Sequence, residues 1–368
     1  MYRVLVFGMT ENPGGVESFL VNYYRHIDRN KLQFDFLCNS HNPIAYEEDI
    51  KELGARCFHI TARSVNYHLY KKEMNNIFRI YAKEWDAIWV NICSLANIDY
   101  LKMAKKYGIK KRIIHSHNSQ NMDGVLRGFL HKWNKCFLHR YATDYWACSS
   151  DAALWFYDKT NLKRAVIIHN AIDVEKMKFD AKKRIALRNL YGWNEKIVIG
   201  NIGRLHFQKN QTFLIEIFEQ YHRKNSDSIL VLVGAGEDEQ MLKNKVEELK
   251  LSQEVYFVGV QKDIQAWLSC FDLFLFPSKF EGLSIAALEA QANGVPVLAS
   301  QKVIPEAVKM NDNFKFLELD ESQFVWSDNI DQLLRYGREN MNLVKDNFKL
   351  KGFEINTESK KLETLFLN

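Results

Sequence analysis

The sequence predicts two successive α/β domains, each built on a parallel β-sheet with helices on both faces. Three observations support this fold class. Short, continuously apolar segments alternate with helix-length segments along most of the chain, a pattern typical of strands that are buried on both faces of a sheet. The 368 residues exceed the length of one ordinary core. The alternating series also runs twice, and a polar, charged stretch between residues 170 and 195 separates the two series.

Eleven apolar segments are predicted as strands, six in the first half of the chain and five in the second. They are residues 4–7, 34–37, 87–90, 112–115, 145–148 and 165–168, then 197–200, 229–233, 255–258, 273–276 and 295–298. We expect a first domain over residues 1–172, a linker over 173–194 and a second domain over 195–340. Residues 341–368 are predicted to be helical, and one option is that they pack back on the first domain.

Ligands of parallel α/β sheets bind beyond the carboxyl ends of the strands, so the loops that follow the strands are the candidate sites. The first such loop, residues 12–17, contains the paired glycines Gly14 and Gly15 before a predicted helix. Backbone N–H groups at a helix start can bind an anion when no side chain intervenes. The loop is not a GxGxxG dinucleotide fingerprint, and an ordinary tight turn is the alternative interpretation.

A second loop carries two cations. Gly203 and Arg204 follow the strand predicted at 197–200, and Lys209 lies five residues after Arg204 and just before a predicted helix. A guanidinium and an ammonium beside a helix start suit a diphosphate. Two solvated surface cations are the alternative. The loop has no Walker GxxxxGK[ST] pattern, which argues against an ATPase.

A pair of glutamates lies in the third loop and its helix. Glu281 follows the strand at 273–276, and Glu289 is eight residues later in an apolar, alanine-rich helix. This spacing is a little over two helical turns, so both residues lie on roughly one side. A carboxylate in such a helix needs a hydrogen-bonding partner, and sugar hydroxyls are suitable. Ordinary surface charge is the alternative.

His115 and His117 end the fourth predicted strand, where a histidine can reach a ligand. A zinc site there lacks a carboxylate or cysteine at helical spacing, so no metal site is predicted.

These motifs together resemble those of the family-four retaining glycosyltransferases. The match rests on residues 14–17, on Gly203 and Arg204 with Lys209, and on the pair Glu281 and Glu289, which reproduces that family's E-x7-E signature. The resemblance spans nearly the whole chain. It implies the GT-B fold, in which two Rossmann-like domains face a central cleft, with the acceptor bound by the N-terminal domain and the nucleotide sugar by the C-terminal domain.

The resemblance also implies roles for individual residues. Arg204 and Lys209 would hold the donor diphosphate, Glu281 the hydroxyls of the transferred sugar and Glu289 the ribose. The implied catalytic residues are His117, Arg204, Lys209 and Glu281. The implied donor-binding residues are Gly14, Gly15, Gly203, Arg204, Lys209, Val258, Glu281, Gly282, Leu283, Ser284 and Glu289. One departure is Ala171, which stands where members often carry a hinge glycine; a positive φ there would cost about 1–2 kcal/mol.

The resemblance implies transfer of a sugar, with retention of its anomeric configuration, from a nucleotide diphosphate carrier, for which UDP is expected. The implied acceptor is a saccharide or lipid-linked saccharide, and the implied pathway is capsule or exopolysaccharide synthesis. No cofactor and no metal are expected beyond the donor itself. A nucleotide-sugar epimerase of the same fold is the alternative, and it would consume donor without an acceptor.

The charge is unevenly distributed. Residues 1–172 contain 24 Lys and Arg against 16 Asp and Glu, whereas the remainder contains 26 against 29. Much of this excess lies in a predicted helix over 126–141, which has an apolar stripe and no acid. The stripe is Phe129, Trp133, Phe137 and Tyr141, and the basic residues are Arg127, His131, Lys132, Lys135, His139 and Arg140. Such a helix suits an anionic membrane surface, and a core-facing helix is the alternative. We expect a cytoplasmic protein, and attachment to the inner face of the membrane remains an open alternative. No nucleic-acid partner is expected, because no nucleic-acid-binding motif accompanies the positive charge.

Overall fold

The computed structural model describes residues 1–118, 124–281, 284–302 and 305–368. The chain forms two compact units. The first consists of Met1–Ala171 together with Ile355–Asn368, and the second consists of Ile172–Glu354.

The first unit is built on a seven-stranded parallel sheet. Its strands are β1 (Tyr2–Phe7), β2 (Leu32–Cys38), β3 (Cys57–His59), β4 (Ala87–Ile92), β5 (Lys111–Ser116), β6 (Asp144–Ala147) and β7 (Val166–Ile167). Its helices before the second unit are α1 (Gly15–His26), α2 (Glu47–Glu52), α3 (Tyr67–Tyr81), α4 (Asp99–Lys106), α5 (Val125–Phe137), α6 (Ser150–Phe156) and α7 (Lys159–Leu162). The strand order is β3-β2-β1-β4-β5-β6-β7, so the chain direction across the sheet reverses between β1 and β4.

Apolar side chains cover both faces of this sheet. On one face, α1 contributes Phe19, Leu20, Tyr23 and Tyr24, whose helical spacing places them on one side where each is almost fully buried. The opposite face packs against α3, α4 and α6. All seven residues of β2 are buried, as expected for a central strand of a doubly wound sheet.

The second unit is built on a six-stranded parallel sheet. Its strands are β8 (Ile197–Ile202), β9 (Ser228–Val233), β10 (Val255–Phe257), β11 (Leu273–Phe276), β12 (Val297–Ser300) and β13 (Phe314–Leu317). Its helices are α8 (Val174–Met177), α9 (Ala181–Tyr191), α10 (Gln211–Lys224), α11 (Glu239–Glu248), α12 (Ile264–Cys270), α13 (Ile285–Ala292), α14 (Gln323–Tyr336) and α15 (Met341–Leu350). The strand order is β10-β9-β8-β11-β12-β13, with the reversal between β8 and β11. The predicted fold class of two doubly wound parallel α/β domains is thus confirmed.

The last helix, α16 (Ile355–Leu367), returns to the first unit. The ring of Phe366 lies 5.8 Å from Phe34, 5.5 Å from Trp89 and 5.1 Å from Trp146, centroid to centroid. The Asp28 backbone N–H donates to a Glu363 carboxylate oxygen at 2.7 Å. This helix therefore completes one face of the first sheet.

The unit boundaries differ from the predicted ones at two places. Residues 173–194 are part of the second unit rather than a linker, and residues 341–354 also belong to the second unit. The polar, charged composition of this stretch predicts a linker, but Arg188 is buried and donates to the Cys270 carbonyl and to Asp272. Ala171 is not among the described residues with positive φ, so the expected cost at the hinge does not arise.

Candidate active site

In the second unit, two loops meet where the strand order reverses. They follow β8 and β11, whose carboxyl ends lie side by side. The Lys279 N–H donates to the Gln208 carbonyl at 2.8 Å, and the Gln208 side chain donates to the Phe280 carbonyl at 2.9 Å. The Asn210 side chain donates to the Pro277 carbonyl at 3.1 Å. These contacts bring together the second and third motifs of the sequence, at the position where ligands of this fold class bind.

Lys209 and Glu281 form an ion pair at this junction. The Lys209 Nζ lies 2.6 Å from Glu281 Oε1, and the two side chains are 19% and 7% exposed. The ammonium also lies 5.2 Å from the centroid of the Phe276 ring. Two motifs that are 72 residues apart in sequence therefore place an opposite pair of charges in one half-buried position.

Arg204 has a different carboxylate partner. Its Nε and a terminal nitrogen donate to the two Glu237 oxygens at 3.0 and 3.2 Å, and its side chain remains 68% exposed. His206 Nε2 lies 3.2 Å from the same carboxylate. The predicted pair of cations is therefore held by two separate carboxylates. Glu237 follows β9 in a short loop with two glycines, and no sequence pattern identified it as a partner of Arg204.

The residue directly after β9, Gly234, has no room for a side chain. Gly234 has φ of +138°, and a Cβ at this position would lie 2.0 Å from the Gly203 carbonyl oxygen. No side chain fits there. The loop that carries Gly203 and Arg204 is thus packed backbone to backbone against its neighbour, and the Gly203 N–H donates to the Val233 carbonyl at 3.0 Å.

Glu289 lies inside α13. Burial raises the pKa of Glu289 to about 7, although the charge of Lys176 opposes the shift. Within the described residues the carboxylate has no hydrogen-bond partner. Ser284 caps the start of this helix, because its hydroxyl accepts from the Ala287 N–H at 3.3 Å. Gly282 and Leu283 lie outside the described residues.

Val258 follows β10, where its N–H donates to the Leu232 carbonyl at 3.1 Å and its own carbonyl accepts from Gln261. Its backbone is thus engaged within the second unit, and contact of its side chain with a donor stays a prediction.

In the first unit, the glycine motif lies at the start of α1. Gly14 is the N-cap residue in extended conformation, and Gly15 is the first helical residue. Glu17 is buried, and its Oε1 accepts from the Thr10 N–H at 3.1 Å and from the Thr10 hydroxyl at 2.7 Å. Glu17 therefore fixes the loop between β1 and α1.

His117 follows β5, which lies one strand away from the reversal point of the first sheet. Its Nε2 lies 2.9 Å from Asn91 Oδ1 at the end of β4. Its ring stacks on His115 with centroids 4.2 Å apart, and Phe19 meets it edge-on at 5.0 Å. Burial lowers the pKa of His117 to about 3. Its imidazole is therefore neutral at physiological pH. No sequence pattern identifies Asn91 as a partner of His117.

No three His, Cys, Asp or Glu side chains in the described ranges come together as a metal site requires. No helix of the described chain combines the length and apolar character needed to cross a bilayer.

The comparisons with known proteins concern both units. Residues 184–349, which lie within the second unit, match the family model described as glycosyl transferases group 1. EpsF of Bacillus subtilis (strain 168) is 27% identical over 361 residues, which are 96% of this chain and 93% of EpsF. The Escherichia coli UDP-Gal:alpha-D-GlcNAc-diphosphoundecaprenol alpha-1,3-galactosyltransferase is 24% identical over 310 residues, covering 78% of this chain and 76% of that enzyme.

Among solved structures, HepE of Anabaena in complex with UDP is similar with a TM-score of 0.79 at 18% identity, and the match covers 100% of both chains. This likeness confirms the predicted GT-B fold. Taken with the family match to the unit that carries Lys209 and Glu281, it leads to one conclusion. The chain is a glycosyltransferase, and residues 184–349 of its second unit match the group 1 glycosyltransferases.

Proposed function

We propose that this chain transfers a sugar from a UDP-sugar to a saccharide or lipid-linked saccharide, with retention of the anomeric configuration, during synthesis of a cell-surface polysaccharide such as a capsule or exopolysaccharide. The observation that carries the proposal is the Lys209–Glu281 pair at the reversal point of the second sheet. The names of relatives support the substrate classes, since one contains UDP-Gal and a diphosphoundecaprenol acceptor, and HepE is bound to UDP.

The cations can stabilise the leaving diphosphate without a metal ion. When the bond between sugar and phosphate breaks, negative charge gathers on the diphosphate. The Lys209 ammonium has three N–H donors and gives one to Glu281, so two remain for phosphate oxygens. Arg204 has five donors and gives two of them to Glu237. Backbone N–H groups at the start of α13 would add to this stabilisation.

The two glutamates differ in their surroundings and in their proposed partners. Glu281 is paired with Lys209, and one of its oxygens is engaged by the ammonium. We assign it to the hydroxyls of the transferred sugar. Glu289 has its pKa raised to about 7, and we assign it to the ribose. Its ionised form accepts two hydrogen bonds from neighbouring hydroxyls, whereas its protonated form retains less acceptor capacity.

This assignment predicts pH-dependent donor binding. Because the pKa of Glu289 is about 7, the carboxylate gains a proton as the pH falls from 8 to 6. We expect the affinity for UDP to fall more steeply over this range in the wild type than in Glu289→Gln, whose amide does not titrate. At pH 8 the variant should bind UDP about tenfold more weakly, the loss of roughly one hydrogen bond to a charged group.

Thermal unfolding with added nucleotides measures both effects. At 100 times its Kd, UDP should add about 2.7 kcal/mol to the free energy of unfolding. UMP, which lacks the second phosphate, serves as the control and should stabilise less. The absence of stabilisation by UDP or by other nucleoside diphosphates would refute the proposed donor class. Equal pH dependence in the wild type and in Glu289→Gln would refute the role of Glu289.

A second part of the proposal concerns an anionic membrane surface. In α5, Leu126 is 73% exposed, Phe129 62% and Trp133 58%. His131, predicted on the basic side, is instead buried, and its Nδ1 accepts from the Leu95 N–H at 3.1 Å. The helix is therefore anchored on one side and presents an apolar side to solvent.

Basic side chains from two segments lie next to this helix. Lys102 and Lys105 of α4 lie 5.7 and 5.6 Å from the Tyr141 ring centroid, and Lys105 donates to the Arg140 carbonyl at 2.8 Å. No Asp or Glu occurs between residues 124 and 143. We propose that this surface binds anionic lipid headgroups, to which each cation near the surface contributes about 1 kcal/mol.

Flotation with vesicles tests the membrane surface. We expect binding to vesicles containing phosphatidylglycerol at low salt, weaker binding at high salt, and little binding to phosphatidylcholine alone. The double variant Phe129→Glu, Trp133→Glu should bind more than tenfold more weakly, because burying each apolar side chain is worth about 1.5–3 kcal/mol. Leu190→Glu, an equally exposed apolar position of α9 in the second unit, is the matched control. Wild-type binding by the double variant would refute this surface.

A further inference from the structure

The contacts of Asn91 show which group donates the hydrogen bond between Asn91 and His117. Asn91 Nδ2 lies 3.4 Å from the Trp89 carbonyl oxygen, whereas Asn91 Oδ1 faces His117 Nε2 at 2.9 Å. A backbone carbonyl can only accept, so the atom that faces it is the amide nitrogen. The atom facing His117 is therefore the acceptor oxygen. It follows that His117 Nε2 carries the hydrogen.

We propose that Asn91 is a positioning residue that holds His117 in its Nε2–H tautomer, so that the Nδ1 lone pair accepts a hydrogen bond from a substrate hydroxyl. In a neutral imidazole one nitrogen donates and the other accepts. Fixing the donor at Nε2 therefore fixes the acceptor at Nδ1. This inference rests on the proposed function and on the role of His117 as a catalytic residue, which the family resemblance implies.

The surroundings of Asn91 are closely packed. Asn91 is 1% exposed. Gly8, just after β1, has φ of +141°, and a Cβ at this position would lie 2.7 Å from the Asn91 carbonyl oxygen and Cβ. The chain just after β1 therefore approaches the backbone and Cβ of Asn91 closely.

The side chains around His117 favour the neutral imidazole. In the described part of the first unit, its ring meets Asn91 from β4, His115 from β5 and Phe19 from α1. Only His115 among these can titrate. Two imidazolium rings stacked 4.2 Å apart would repel each other. No carboxylate among these contacts offsets that repulsion.

The substitution Asn91→Asp tests the proposal through a pH profile. A carboxylate facing Nε2 favours the imidazolium and raises the pKa of His117 by about 1–3 units. The protonated ring has no acceptor. We expect the ratio of kcat/KM of Asn91→Asp to kcat/KM of the wild type at the same pH to fall by up to tenfold per pH unit once the pH drops below the raised pKa of His117, between about 4 and 6. Titration of Glu289 affects both enzymes alike and cancels in this ratio. Asn39→Asp is the control, because Asn39 Oδ1 accepts from the Tyr100 hydroxyl and an aspartate retains that acceptor.

The ring nitrogens can also be observed directly. In protein labelled with ¹⁵N-histidine, the His117 signals are assigned by their loss in His117→Phe. We expect hydrogen on Nε2 and none on Nδ1. Hydrogen on Nδ1, or an acid limb of Asn91→Asp that matches the wild type, would overturn the proposal. A second outcome is the expected tautomer in the wild type together with sugar transfer at the wild-type rate by His117→Phe. That result would refute the catalytic role of His117 in the proposed function, whereas its hydrogen bond with Asn91 would stand.

Discussion

Replacing Lys209 with alanine should lower kcat about 100- to 1,000-fold and change KM much less, because the ammonium acts mainly on charge that develops in the transition state. Removal of one such donor from a preorganised site typically has an effect of this size. Lys209→Arg keeps a cation and should lose less activity. The measurement is steady-state turnover with a UDP-sugar and its acceptor.

Two controls separate this effect from general damage. Lys245 forms a similar ion pair with Glu216 at 2.6 Å in the same unit, with side chains 25% and 29% exposed. Lys245→Ala should keep kcat within about twofold of the wild type. Lys209→Ala also leaves Glu281 without its cation, so the double variant Lys209→Ala, Glu281→Gln checks whether the orphaned charge lowers the melting temperature. A kcat within threefold of the wild type for Lys209→Ala would contradict the assigned role.

Replacing Asp35 with alanine should destabilise the first unit by about 3 kcal/mol. Asp35 is fully buried, and it accepts hydrogen bonds from Arg3 at 2.8 Å, from Arg56 at 2.6 Å and from Trp85 Nε1 at 2.9 Å. Breaking a buried pair on one side costs about 3–5 kcal/mol. The two arginines remain partly exposed, so water can solvate them and the lower end applies. The measurement is the midpoint of urea unfolding.

The matched control is Asp49→Ala. Asp49 pairs with Arg25 in the same unit, but both side chains are more than a third exposed, so the loss should stay below about 1 kcal/mol. Equal losses in the two variants would contradict the prediction.

The stabilisation by Asp35 should also depend on pH. Burial alone would raise the pKa of Asp35, but hydrogen bonds from Arg56, Trp85 and Arg3 outweigh burial and lower it. A carboxyl whose pKa is lower in the folded state stabilises the fold above the pKa of the unfolded chain. That stabilisation disappears as the pH falls through the folded pKa. The difference between the wild type and Asp35→Ala should therefore be constant above about pH 4 and shrink in stronger acid.

The sequence predicted every central strand and two of the four terminal strands. Each of the eleven predicted segments overlaps an observed strand, because a central strand is buried on both faces and reads as continuous apolar sequence. The two strands that were missed, β3 and β13, are both terminal in their sheets. They are three and four residues long and largely half-buried, and polar side chains interrupt them. These two strands lack the continuous apolar segment that predicted the other two terminal strands, β7 and β10.

The site shows a similar limit. Strand ends can be located from sequence, and the loops that follow them were the predicted sites; the structure brings the loops with Lys209 and Glu281 together. Partners that depend on the three-dimensional course of a loop could not be predicted. Glu237 meets Arg204 because the loop after β9 packs on the loop after β8. Asn91 meets His117 because β4 and β5 are adjacent. The roles of the predicted residues toward donor and acceptor stay predictions.

The return of α16 to the first sheet has a consequence for biosynthesis. As the chain leaves the ribosome, residues 1–171 emerge first, but the helix that covers Phe34, Trp89 and Trp146 is made only after the whole second unit. Until then the nascent first unit has an uncovered aromatic face, the kind of surface that chaperones bind and that promotes aggregation. A fragment ending at residue 171 would keep that face permanently uncovered. A single cut between the two units therefore deprives the first unit of its last helix, α16.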